Sequence, residues 1–116
     1  MAEDPRTQVY FDGGCPVCSR EIATYRRAEG AAALCFVDVS LPDAPLAPGL
    51  TREAALARMH VRRADGSMAS GAAAFAALWS ALPRWAWLGR ISALPVVAPV
   101  LELGYLGFLR LRRAWR

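Results

Sequence analysis

Apolar positions fall into blocks of different period along the 116 residues, and the periods predict alternating strands and helices. Gln8-Val9-Tyr10-Phe11 reads as a short strand. From Pro16 the apolar residues take helical spacing: Cys18, Ile22 and Tyr25 share one face, while Arg20 and Arg27 point away. That helix is expected from Pro16 to Glu29, with Pro16 at the favoured first position and Gly30 as the stop. Leu34 to Val39 is a continuous apolar run, the pattern of a strand buried on both faces. Ser40 to Leu50 carries Pro42, Pro45, Pro48 and Gly49 and reads as a loop. Thr51 is placed to cap a short helix through Arg58.

Met59 to Arg63 and Ser67 to Ser70 flank Ala64-Asp65-Gly66, a hairpin signal. Gly71 to Leu82 is an alanine-rich helix stopped by Pro83. From Trp85 the chain is apolar and helical, with breaks expected near Pro95 and Pro99. A right-handed β-α-β crossover, then a helix and a hairpin, predicts an α/β fold. Its sheet is four-stranded and mixed, flanked by helices, with an extra apolar C-terminal helical segment. No repeat or linker divides the chain, so residues 1–116 are expected to form one domain, with a core at 8–82 and a helical extension at 84–116.

In that extension Leu101, Tyr105 and Phe108 form one stripe, and Leu103, Leu106 and Leu111 lie around the other side. Arg90 and Glu102 leave no uncharged run of about 18 residues, so no transmembrane span is expected. A helix apolar all round is normally buried, here over the sheet or in a homodimer. Arg110, Arg112, Arg113 and Arg116 at its end leave peripheral contact with an anionic membrane, or with a partner, open.

Composition narrows the classes. With 55 % apolar and 21 % charged residues, the chain is globular rather than disordered. Its net charge of +4 comes from arginine alone. Ala, Gly and Pro are abundant too, so coding bias accounts for the arginine as well as charge selection does. No arginine-rich stretch interleaves with aromatics, and a nucleic-acid partner is not expected. Three cysteines do not make a paired disulfide framework. The first residues lack a basic head followed by an apolar run, so a cytoplasmic location is expected. In a reducing compartment a Cys-x-x-Cys is catalytic or metal-binding more often than structural.

The chemistry concentrates in Asp12-Gly13-Gly14-Cys15-Pro16-Val17-Cys18, at the first strand-to-helix turn. Open α/β sheets place their sites at the carboxyl ends of strands, and this turn lies there. Cys15 falls near the N-cap, where free N–H groups and the helix dipole favour a thiolate. It is therefore expected to be an exposed nucleophile. Cys18, one turn further, reads as the resolving thiol that displaces product from a mixed disulfide. Asp12 has two compatible readings: a carboxylate that accepts or returns a proton, and a turn residue bonded to the Gly13-Gly14 backbone.

Two alternatives stay open. A metal module would need Cys35, and at most His60, beside the dithiol. Cys35, however, lies in the apolar run Leu34-Cys35-Phe36-Val37 and reads as a buried inert thiol, and His60 as a strand histidine. The other alternative is a non-catalytic interaction protein that presents its C-terminal helix. Met59 is expected beside the dithiol without a chemical part.

With Asp12, Cys15 and Cys18 so spaced, the chain resembles the DCC-type thiol-disulfide oxidoreductases, named for Asp-x-x-Cys-x-x-Cys. The likeness runs through Val9-Tyr10-Phe11-Asp12-Gly13, Phe36-Val37-Asp38, Met59-His60-Val61, Asp65-Gly66 with Gly71, and Tyr105 with Arg112. It implies a thioredoxin-like fold and protein-disulfide reductase activity, with Asp12, Cys15 and Cys18 as site residues and no cofactor. The partners implied are a disulfide-containing protein or small thiol substrate and an electron donor. Thioredoxins and glutaredoxins carry a cis-proline before the third strand that helps hold substrate backbone. Leu56-Ala57-Arg58-Met59 has none, so substrate binding is expected to differ.

Overall fold

The computed structural model describes residues 6–114; Trp115 and Arg116, counted above in the C-terminal segment, lie outside them. Strand β1 (Thr7–Phe11) is central, and its last three residues are buried. It pairs in parallel with β2 (Leu34–Asp38) and antiparallel with β3 (His60–Arg62), which pairs antiparallel with β4 (Met68–Ser70). The order β2-β1-β3-β4 is the expected mixed sheet. Strand alternation sends Val9 and Phe11 to one face and Tyr10 to the other. The first face meets Ile22, Tyr25, Leu78 and Leu82, and the second meets Val37, Val39, Ala47 and Ala55.

Helix α1 (Pro16–Arg26) packs on the first face and α2 (Arg52–Ala57) follows the long loop. Thr51 caps α2, accepting the Ala54 N–H at 3.1 Å. Helix α1 stops three residues before the expected Glu29. The Arg27 and Ala28 N–H groups bond to carbonyls three residues back, tightening the last turn, and Gly30 turns the chain at φ 87°. Strand β2 is an edge strand, so the expected burial on both faces is not met and Cys35 is half-buried.

Helix α3 (Ala72–Ser80) supports α4 (Ala86–Ser92) and α5 (Val97–Arg112). A break occurs at Pro95, but Pro99 breaks nothing. It sits in the first turn of α5, where the N–H it lacks would have no helical partner. Helices α4 and α5 meet at a bend of 96°, and no single helix among the described residues is long and apolar enough to cross a membrane. One side of α5 packs on the domain. The other does not, against the expectation that an apolar helix is buried all round: Leu103 is 69 % exposed.

Candidate active site

The parallel register sets Phe11 opposite Asp38, so the turn after β1 closes against the end of β2. Asp12 is buried and its Oδ1 accepts the Gly14 N–H at 2.9 Å, the expected turn bond. The Cys15 N–H closes the turn on the Asp12 carbonyl at 3.1 Å. Asp38 Oδ1 accepts the Gly13 N–H at 2.9 Å and also the N–H and hydroxyl of Ser40. Burial alone would raise the Asp38 pKa; the Ser40 hydroxyl and N–H, then the Gly13 N–H, outweigh it and hold the carboxyl below its ordinary value. A Cβ on Gly13 would overlap the Asp38 carboxylate, so only glycine permits this approach.

Cys15 is the N-cap of α1, as expected, with Pro16 following. It is not exposed: the closed turn folds it in at the foot of the helix, 0 % accessible, and Cys18 is the thiol that lines the adjacent cleft. All three cysteines are free thiols. The Cys18 thiol is pushed up to about 12, first by burial, then by its hydrogen bond to and electrostatic repulsion from the neighbouring Cys15. Arg112 acts the other way. Its Nη1 lies 4.0 Å from Cys18 Sγ, and its Nη2 donates to the Leu56 and Ala57 carbonyls at 2.9 and 3.1 Å.

Arg112 is thus 8 % exposed, not part of an outward basic cluster. The signal was its spacing: Leu101, Tyr105, Phe108 and Arg112 repeat at four, three and four residues and fall on one helix face. The same face carries Tyr105, whose hydroxyl accepts the Met59 N–H at 2.7 Å. Glu102 pairs with Arg58 and accepts the Ala72 N–H at 3.1 Å, at the start of α3. Helix α5 therefore clamps the α2–β3 connection that faces the dithiol.

That connection has no free N–H to offer. Arg58 N–H goes to Ala54, Met59 N–H to Tyr105, and the Met59 carbonyl accepts Gly71 N–H. The peptide bonds among the described residues are all trans. His60 is the satisfied strand histidine expected, its Nδ1 2.9 Å from the Arg58 carbonyl. Among the described residues no three His, Cys, Asp or Glu side chains gather as a metal site, so Cys35 and His60 do not join the dithiol.

Beside Cys18 opens a cleft of about 590 Å³ between α1, α3 and α5. Met59, Phe75, Tyr105 and Phe108 give it apolar walls, and Asp12 and Glu21 are its carboxylates. Glu21, three residues after Cys18, had not been singled out; its Oε2 accepts the Tyr25 hydroxyl at 2.9 Å. The family profile described as DCC1-like thiol-disulfide oxidoreductase matches residues 9–116. The chain belongs to that family. Neither a curated protein nor a solved structure matches it. As a DCC1-like protein it is a thiol-disulfide oxidoreductase of thioredoxin-like α/β fold, with two adjacent thiols at the sheet's carboxyl end.

Proposed function

We propose that this DCC1-like protein reduces substrate disulfides, with Cys15 attacking and Cys18 resolving. Two observations support the assignment: Cys15 caps the N-terminus of α1, an end that favours anionic groups, and the neighbouring Cys18 thiol is pushed up to about 12, first by burial and then by Cys15, so Cys18 keeps its proton. The Cys15 thiolate attacks one sulfur of R–S–S–R′, forms a Cys15–S–S–R bond and expels R′S⁻. Cys18 then attacks the Cys15 sulfur, closes the Cys15–Cys18 disulfide and expels RS⁻, its own proton passing to a thiolate leaving group. The substrate is reduced by two electrons and the dithiol oxidised by two. A donor dithiol restores it.

Two features set the terms of substrate binding. Cys15 is covered, so attack follows a movement that uncovers it at the Cys18 cleft. The α2–β3 connection has its N–H groups engaged, so substrate is held by apolar contact in the cleft rather than by strand pairing. Asp12, buried at the cleft edge, is the proposed proton acceptor for the exchanging thiol.

Trapping in the native host tests the order of attack. Cys18→Ser protein, quenched in acid, should carry reducible higher-mass adducts on non-reducing gels, because nothing intramolecular displaces the product. Cys15→Ser protein should carry few. Adducts on Cys15→Ser alone would reverse the roles, and none on either would remove the disulfide-reductase reading.

A further inference from the structure

We infer that the outward face of α4 and α5 is a docking surface for an anionic lipid bilayer. On α5, Val96, Val100, Leu103 and Leu111 repeat at three- and four-residue spacing along the exposed side, and Gly107 completes the stripe. On α4, Trp87 and Ile91 are exposed one turn apart, Trp87 at 58 %. The usual arrangement is inverted: the polar groups of α5 (Glu102, the Tyr105 hydroxyl and Arg112) bond inward, and its apolar residues face out.

Charge selects the occupant. From residue 85 to 114 the exposed charges are Arg90, Arg110 and Arg113, while the single acid, Glu102, is half-buried and paired with Arg58. An apolar band edged by cations and containing a tryptophan matches the interface of an anionic bilayer. A second copy would bring an equally arginine-edged face against it. Crossing the bilayer would strip the inward bonds to Met59, Ala72, Leu56 and Ala57, so α5 lies on the surface with the domain behind it.

Co-sedimentation of the full chain with vesicles tests this, using equimolar phosphatidylglycerol and phosphatidylcholine against phosphatidylcholine alone. Three arginines near the surface should favour the anionic vesicles by roughly a hundredfold, a preference that raised salt removes. Tryptophan emission should shift to shorter wavelength on binding, and Trp87→Phe should diminish that shift. Leu103→Glu, at an exposed position outside the cleft, should abolish sedimentation while melting temperature and disulfide exchange in solution stay unchanged. No sedimentation with anionic vesicles, equal sedimentation with both lipids, or binding unaffected by Leu103→Glu would overturn the inference. A dimer in lipid-free solution that Leu103→Glu dissociates would give the face to a second copy instead.

Discussion

Arg112 and Cys18 stand 94 positions apart in the chain, yet a guanidinium nitrogen of the first lies 4.0 Å from the sulfur of the second. The cation is held there by two backbone carbonyls, so it does not swing away as a surface arginine would. It favours the Cys18 thiolate, the form that in the proposed mechanism attacks in resolution and leaves when the oxidised dithiol is reduced.

Arg112→Met should therefore slow resolution by about tenfold, equivalent to one unit on the Cys18 titration. Mixed disulfide should accumulate in stopped-flow mixing with a peptide disulfide. Arg112→Lys should recover part of the rate, since it restores the charge but not the two-carbonyl fork. Equal rates in Met and Lys variants would reduce Arg112 to a structural clamp.

Alkaline stability carries a sign that follows from the same thiol. Cys18 titrates near its ordinary 9.0 in the unfolded chain and at about 12 in the fold. Between those values the unfolded chain has lost a proton that the native chain retains, so stability falls as pH rises through the window. The raised hydroxyls of Tyr10, Tyr25 and Tyr105 add a fall of the same sign at higher pH. Urea melts from pH 8 upward (about a unit below the window) should show a shallower decline for Cys18→Ala than for the parent chain.

Asp12→Asn separates turn from proton transfer. The amide oxygen still accepts the Gly14 N–H, so stability should hold, while exchange should slow by roughly a hundredfold, the low end for a positioned proton acceptor. Asp12→Ala should add a stability loss of about 1 kcal/mol. An Asn variant of full activity would leave Asp12 with the turn alone.

Acid should loosen the turn through Asp38. Its pKa is lowered in the fold, so its contribution is present above the unfolded value near 3.8 and is lost as pH falls through the lower folded value. Asp38→Asn should flatten the acid limb of the stability curve. Gly13→Ala should destabilise by about 1–3 kcal/mol at every pH, because the added Cβ displaces the carboxylate itself.

Local patterns carried most of the architecture: the dithiol turn, the Thr51 cap and the hairpin all follow from spacing within a few residues, and the mixed sheet from the succession of elements. From the residues alone the site was legible on its β1–α1 side and at Met59, which lines the cleft beside Cys18, while Tyr105 and Arg112 entered it only through the family likeness. Arg112, Tyr105 and Glu102 lie where they do because α5 folds back over α3, a tertiary fact that no local period contains. Pro99 was read as a breaker because a proline's effect depends on which helical turn it occupies, and that position is set by the break at Pro95. Exposure of Cys15 was inferred from its N-cap position alone; closure of the turn by Gly13 and Asp38 buried it.

The clamp of α5 on the Leu56–Met59 connection makes the redox unit inseparable from the last helix. A fragment ending at Pro83 keeps every strand and both thiols, but loses the guanidinium beside Cys18, the acceptor of the Met59 N–H and one wall of the cleft. Grafting Asp12–Cys18 onto another sheet would transplant a dithiol without its cation. The smallest portable dithiol unit in this chain is therefore the chain through Arg112.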